Sequence, residues 1–531
     1  MAGLFFRLIA AFRYRVNSDE PQHLHVVWEW TQGLLAYRDF FDNHMPLFQL
    51  LSVPALWAVG ERPAAVLWMR VLTTTPVWLG IAWLSGRIGR ALFSARVGLW
   101  SAVLAALWPI FFLCSLEFRP DGLWTLLWLG AVVVLVEGRV TAARGFVAGA
   151  LLGLAAGVSM KTTLLLGVLA VAGLATLVIA RDHRPPWRAL VRSALAALVG
   201  LALVPVAIAG FFADRGAWQA YAYDVVWHNV LPALAQPTRV SHWWVLVVTP
   251  LLGMAAAGAR RTAPTPALGA RRAFVLLAAG LHLTMLYAAW PLVTRQSLLP
   301  ALPLIAVFTA AAAADVRVGA RWRRWGGIPA IVGVLALVRL LTNHSVAADR
   351  ANEMVRFESD VLRLTTPVTP VFDQKGEAVF RPRPTYWVLE TITRERLRRG
   401  LIADDFADRL RSTGTPVVAA DDTILPGATR RFLHAHYLRV QTYRRIDSLW
   451  VLGDRLDRPA FELPIGATYA LVAPHGQPHG TLDGTPYDGP RLLAAGPHAY
   501  DPAPGDERVA LLWAPAAAQG FSPFTSQARW R

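Results

Sequence analysis

Between residues 64 and 343 the chain repeatedly offers apolar stretches of about 16–20 residues, broken by short turns rich in arginine. A hydrocarbon layer about 30 Å thick is crossed by roughly 20 apolar residues of helix. Lipid supplies no hydrogen-bond partners, so such stretches are expected to be helices. They fall at approximately 1–14, 64–86, 97–114, 122–137, 145–160, 162–180, 193–213, 242–259, 273–292, 298–314 and 328–343. The expectation is about eleven spans, and a chain that is mainly α and polytopic. The first stretch is the weakest: it is short, carries Arg7 and ends in Arg13 and Arg15. No small-x-small cleavage pattern precedes the polar segment, so a first helix is expected in preference to a signal peptide.

The turns supply a direction. Arg87, Arg90 and Arg96 lie between apolar stretches, as do Arg181, Arg184, Arg188 and Arg192. Arg260, Arg261, Arg271 and Arg272, and then Arg317, Arg321, Arg323 and Arg324, repeat the pattern. Short basic loops normally stay cytoplasmic. The outer side then receives 15–63, 115–121, the turn at Lys161, 214–241, 293–297 and everything after about residue 345. This distribution accounts for a net charge of +17 without a nucleic-acid partner. One cysteine, Cys114, excludes an intramolecular disulfide and a cysteine-based metal cluster. Lys161 and Lys375 are the only lysines in a chain otherwise cationic through arginine.

Three regions are expected: a multi-span membrane domain over 1–345, a soluble mixed α/β region over 346–446, and a small β-rich module over 447–531. In the first outer loop Trp28, Trp30, Leu34, Leu35 and Phe40 suggest an amphipathic helix lying in the membrane interface. Beyond residue 346 charge is dense; 388–411 looks helical, while TPVVAA, ATYALVAP and ERVALLWAP look like strands. Turn signals such as LDG, DGP and PAPGDE separate the later runs.

Ionisable groups are costly to bury near lipid, so those at the outer ends of several spans are candidates for a shared site. Asp19 and Glu20 follow the first stretch; Glu117, Arg119 and Asp121 occupy one very short loop. Lys161, Asp224, His228 and Arg295 also fall on the outer side. Such a set suits transfer from an anionic lipid. A carboxylate takes a proton from an attacking hydroxyl, while cations hold the phosphate and offset charge on the leaving group. His23, His25 and His44 could in principle hold a divalent metal, but they lack a tight ligand spacing, and no cofactor is required by the pattern.

The ordered series of these residues resembles the GT-C type glycosyltransferases, close to the bacterial relatives of protein O-mannosyltransferases and of the aminoarabinose-transferring lipid A enzymes. NSDEPQH matches their first-loop acidic pair with Asp19 and Glu20. In FDNHMPLFQ, His44, Met45 and Pro46 stand where the family has Lys-Pro-Pro. RPDGLWTLLW resembles the second acidic loop through Asp121, and GLAAGVSMKTT the Gly-rich helix that ends before a lysine, here Lys161. TRQSLLPALPL resembles an Arg-Tyr-x-x-Pro element, with Arg295 in place and Gln296 at the tyrosine position.

The resemblance covers roughly 1–345 and implies a GT-C helical bundle carrying an extracytoplasmic carboxyl-terminal domain in a bacterial inner (plasma) membrane. It implies a polyprenyl-phosphate sugar donor, a protein, lipid or glycan acceptor, and inversion at the sugar. It implies Asp19 as general base, with Glu20 or Asp121 as acidic companion. Lys161, Arg295 and His44 are implied as donor-phosphate contacts. Glu117, Arg119, Asp224 and His228 remain candidate sugar or acceptor contacts. A lipid or glycan transporter or flippase is the competing reading, for which ionisable groups deep in the spans and an inverted repeat would be expected.

Overall fold

A computed structural model describes residues 2–181, 184–231, 243–290, 292–315, 327–444, 446, 448–504 and 508–525. The Arg317, Arg321, Arg323 and Arg324 cluster and the last part of the 214–241 loop lie outside the described residues. The chain divides into two compact units. Met1–Arg15, Asp42–Ala58 and Leu67–Asp349 form the first; Val16–Phe41, Val59–Val66 and Arg350–Arg531 form the second.

The first unit is helical and belongs to a multi-pass membrane protein. Among the described residues four helices are long and apolar enough to cross a bilayer: Ala65–Leu92, Thr162–Ile179, Trp187–Asp214 and Pro266–Ala289. Shorter apolar helices are Leu47–Val59, Ala95–Leu107, Pro120–Val136, Ala142–Val158, Leu302–Ala314 and Ile328–Leu341. Ala2–Arg13 and Trp243–Arg261 are also helical, so every apolar stretch read from the sequence meets a helix. Leu47–Val59 is additional, placed inside what the sequence reads as outer loop. The stretch 97–114 divides at Trp108, because Pro109 lacks the amide that would continue the first helix and starts a second, Pro109–Cys114.

Two arginines fix the first helix. Arg7 is fully buried, and its guanidinium donates to Phe112 O (3.0 Å), Ser115 O (2.6 Å) and Thr74 Oγ1 (3.2 Å). Arg70 donates to the carbonyls of Ala11 (3.0 Å), Tyr14 (2.9 Å) and Arg15 (2.9 Å), groups that a helix end leaves without intrahelical partners. Ala142–Val158 packs on Trp187–Asp214 through Gly145, Gly149 and Gly153. A Cβ at Gly149 would stand 2.0 Å from Ala197 O, so only glycine permits this approach.

Charge is sorted along these helices. Pro120–Val136 begins at Asp121 and ends beside Glu137, whose carboxylate accepts from Arg87 Nε (2.9 Å). At that same end Arg271 donates to Gly138 O (2.9 Å) and Arg272 to Leu92 O (2.9 Å). The basic turns near 87–92, 137–144 and 271–272 therefore gather at the opposite end of this helix from Asp121. Seventeen residues of helix separate the two ends by about 25 Å.

The second unit is built on a seven-stranded sheet, ordered β1-β2-β4-β11-β6-β9 with β3 also on β4. The strands are β1 (Val371–Asp373), β2 (Val417–Ala420), β3 (Tyr437–Gln441), β4 (Ser448–Arg455), β5 (Ala460–Leu463) and β6 (Ala467–Val472). They continue with β7 (Gly480–Leu482), β8 (Thr485–Pro486), β9 (Arg491–Leu493), β10 (Gly496–Pro502) and β11 (Ala510–Trp513). Among the described strands β1 and β2 pair parallel and the other pairings are antiparallel; β5-β10-β7-β8 form a second, four-stranded sheet.

Both faces of the larger sheet are buried, and alternate residues go to opposite faces. Val418, Trp450 and Leu452 join Phe406, Leu410, Phe432 and Leu433 from the helices Phe406–Ser412 and Gly427–His436. Val417, Ala419, Leu449 and Val451 join Met354, Phe357, Val361 and Leu364 from Asn352–Leu364. That is why TPVVAA is a continuous apolar run. The division expected at 446/447 falls inside this sheet, where β3 pairs antiparallel with β4. The helical segment expected at 388–411 is two short helices, Thr391–Arg398 and Phe406–Ser412.

The first outer loop also differs from expectation. Its helix is Asp19–Thr31, and Glu20 through Glu29 are all buried, so it does not lie in a membrane interface with a polar face to water. Residues of the tail cover it: His25 Nδ1 meets Val379 O at 2.7 Å, and Tyr386 Oη donates to Tyr37 O at 2.5 Å. Leu34, Leu35 and Phe40 lie beyond the helix; of these Leu35 and Phe40 are buried and Leu34 is exposed.

One buried acid makes this unit pH-sensitive. Desolvation raises Glu358 to about 8 from an ordinary 4.5, against the nearby Arg381 charge, which pulls it down. Folded protein therefore holds a proton that unfolded chain releases as pH rises from 4.5 to about 8. Stability contributed by the protonated form is full below the unfolded pKa and is lost through that window. Glu358→Gln is expected to lessen this slope, read as a flatter melting temperature between those pH values, with buried Glu377, raised to about 7, supplying the remainder.

Candidate active site

In the first unit the candidate residues assemble around the start of Pro120–Val136. Proline at its first position and Asp121 in its first turn suit a helix amino terminus, whose exposed amides favour a carboxylate. Asp121 is buried and meets two cations: Lys161 Nζ at 2.9 Å on Oδ1 and Arg119 Nε at 3.3 Å on Oδ2. Lys161 immediately precedes Thr162–Ile179 and lies 5.8 Å from the Trp124 ring centroid. Trp124 donates to Thr162 Oγ1 at 3.0 Å, tying the two helix starts together.

A second set joins through the turn Arg295–Leu298. Gln296 donates from Nε2 to Glu117 Oε2 at 2.6 Å, so the residue at the family's tyrosine position holds the acid of the 115–119 loop. Ser297 O meets His282 Nε2 at 2.9 Å, and the His282 ring lies 6.2 Å from Trp124. Arg295 is exposed and makes no ion pair among the described residues. Buried Cys114 lies within electrostatic reach of Glu117, Arg119, Asp121 and Arg295. Three cations (Arg119, Lys161, Arg295) face two carboxylates (Asp121, Glu117), so the local charge favours an anion.

His44 adjoins this set. Its Nδ1 lies 2.8 Å from Asp42 Oδ1, and its backbone amide donates to the same oxygen at 3.1 Å. Gln49 Nε2 donates to Asp42 Oδ2 at 3.3 Å. Four residues after His44, the Phe48 ring packs at a 45° tilt on that of Phe118, between Glu117 and Arg119, with centroids 5.0 Å apart. Asn229 Nδ2 donates to Asn43 O at 2.8 Å, which fastens this loop to the π-helical turn Tyr223–Trp227 bearing Asp224 and to the adjacent His228. Asp224 and His228 are both buried.

Asp19 and Glu20 belong to the second unit. Asp19 begins its helix, partly exposed, and its carboxylate pairs with Lys375 Nζ. Glu20 is fully buried, and its Oε1 accepts the Asn17 amide at 2.8 Å, a contact that closes the helix start. The two adjacent acids therefore have different partners. His25 uses both ring nitrogens, on Val379 O and on Glu29 Oε1 at 3.0 Å. Among the described residues no group of three or more His, Cys, Asp or Glu is placed to hold a metal ion.

Sequence reasoning missed Lys375, Gln296, Asp42, Trp124 and His282. A lone histidine within the apolar run HLTMLY, and a lysine in a tail that otherwise uses arginine, were the available signals.

Residues 51–208 match the family model described as dolichyl-phosphate-mannose-protein mannosyltransferase. No curated protein matches the chain. ArnT from Cupriavidus metallidurans, in a crystal structure of the apo state, is 14% identical, with a TM-score of 0.59 over 85% of this chain and 96% of that one. The same protein bound to undecaprenyl phosphate is 13% identical, with a TM-score of 0.60 over the same shares, 85% and 96%. The chain shares the fold of ArnT. Archaeal oligosaccharyltransferase AglB from Archaeoglobus fulgidus, in complex with an inhibitory peptide and a dolichol-phosphate, is 12% identical, covering 83% of this chain and 73% of that one at a TM-score of 0.42.

Proposed function

We propose that this protein is a membrane glycosyltransferase that moves a sugar from a polyprenyl-phosphate donor to an acceptor hydroxyl on the extracytoplasmic side of a bacterial plasma membrane. The observation that carries this reading is the Asp121–Lys161–Arg119 cluster at the ends of apolar helices, within a fold shared with a protein solved with undecaprenyl phosphate. Lys161, Arg119 and exposed Arg295 supply cationic donors for a phosphate, and His44 adds another held by buried Asp42. A lipid tail suits the apolar helices from which these groups project. The basic turns at the far end of Pro120–Val136 support a cytoplasmic assignment of that end.

Asp19 takes the proton of the acceptor hydroxyl as its oxygen bonds to the anomeric carbon. The bond from that carbon to the phosphate oxygen breaks, and polyprenyl phosphate leaves as an anion beside the cationic groups. One displacement of this kind inverts the anomeric configuration. Asp121 holds Lys161 and Arg119 in place; Glu117, fixed by Gln296, and Asp224 and His228 are contacts for sugar or acceptor.

The test is transfer by purified protein in lipid nanodiscs supplied with radiolabelled polyprenyl-phosphate sugars and candidate acceptors. Labelled product with inverted configuration is expected. Labelled donor crossing the bilayer unchanged, with no product from any sugar, would replace this reading by that of a flippase.

A further inference from the structure

Both lysines of this chain, in a sequence that uses arginine for every other basic residue, sit on a candidate carboxylate: Lys161 on Asp121 and Lys375 on Asp19. Arginine's planar fork suits permanent pairing, whereas lysine's compact ammonium has rotatable donors and can hold a carboxylate without blocking both of its oxygens. Lys375 contacts Oδ1 of Asp19 and also donates to Ser18 Oγ at 3.3 Å.

The loop that presents Lys375 is tightly built. It leaves the carboxyl end of β1, where buried Asp373 accepts the amides of Gly376 (2.8 Å) and Ala378 (2.9 Å) and pairs with Arg383 Nε (3.3 Å). Gly376 has φ +110, and a Cβ there would stand 3.0 Å from His25 Cβ and 3.1 Å from Gln22 Cα. The loop thus lies directly on the helix that Asp19 begins, and His25 fastens it again at Val379 O. Lys375 N donates to Glu377 Oε2 at 2.7 Å. Asp19 and Lys375 side chains retain 25% and 19% of their exposure, so the pair is fixed yet open to water and to an acceptor.

We propose that Lys375 is a positioning residue that keeps Asp19 ionised and aimed, so that the carboxyl-terminal sheet takes part in activating the acceptor. This rests on the reading of Asp19 as the base. The acceptor's proton goes to Asp19 alone. The charged groups around the pair are Glu20, closed onto Asn17, and on the loop Glu377, Asp373 and Arg383.

Two measurements on the full chain test it. Only two lysines exist, so labelling by an amine-reactive acetyl ester is read at each by peptide mass spectrometry. Asp19→Asn is expected to speed labelling of Lys375 about tenfold, because an amine no longer held against a carboxylate is freer to meet the reagent. Lys161 labelling stays unchanged as the internal control. An unchanged Lys375 rate would overturn the pairing.

In transfer assays Lys375→Met is expected to lower kcat about tenfold, leave the donor KM in place and move the acid limb of the profile up by about one pH unit. Lys375→Arg restores the limb. A merely structural lysine would lower the melting temperature without moving it. If Asp19→Asn is inactive but Lys375→Met keeps the native kcat and acid limb, this inference falls and the base remains. If Asp19→Asn transfers at the native rate, both fall together.

Discussion

Asp19→Asn is expected to cut kcat by about a thousandfold, within the range for loss of a general base, while the donor KM stays near its native value. The amide keeps the shape of the carboxylate and can still accept from Lys375, so the change removes basicity more than structure. Asp19 lies in the first turn of Asp19–Thr31, where a helix amino terminus favours negative charge by about 0.3–1 kcal/mol. Its pair with Lys375 is partly exposed, and such pairs contribute about 1 kcal/mol or less. The melting temperature should therefore move by only a few degrees. Single-turnover transfer with donor pre-bound separates the two effects. A native single-turnover rate in this variant would mean that another group takes the proton.

The membrane architecture was legible because its cause is local. A run of apolar residues with no polar interruption has little choice but helix in lipid, and Pro109 and Pro120 mark starts that need no neighbouring chain to explain them. Asp121 and Lys161 could be read as a pair in function because each opens a helix on the same side of the bundle. Tertiary contacts were a different matter. Arg7 looks in sequence like a charge spoiling a span, yet it bonds to backbone 67 and 105 residues away.

The Asp19–Thr31 helix looked amphipathic because its tryptophans alternate with polar groups. Its polar residues are in fact buried beneath a tail more than 340 residues distant in sequence. Lys375 carries no local sign of its partner, 356 positions earlier. The break placed at 446/447 followed a change in composition, whereas strand pairing ignores composition: β4 bonds to β2 and β3 from one side of the break and to β11 from the other.

The Asp121–Lys161 pair carries the other large effect. Lys161→Met is expected to raise the donor KM about thirtyfold and to lower kcat/KM by about a hundredfold, as loss of a charge-assisted phosphate contact in a partly buried site would. Asp121→Asn should also cost about tenfold or more in kcat/KM, for a different reason. It leaves Arg119 and Lys161 without the carboxylate that separates and orients them, 3.3 and 2.9 Å away on its two oxygens. If Asp121 acts through Lys161 as well as Arg119, the double variant should lose less than the product of the two single losses, a coupling of about 1–3 kcal/mol. Equilibrium binding of polyprenyl phosphate, measured beside turnover, shows whether the coupling lies in the ground state. Losses that simply multiply would mean that Asp121 does not act through Lys161, since a carboxylate that works by holding that lysine has less left to lose once it is gone, and would leave Arg119 or the reacting sugar as what Asp121 serves.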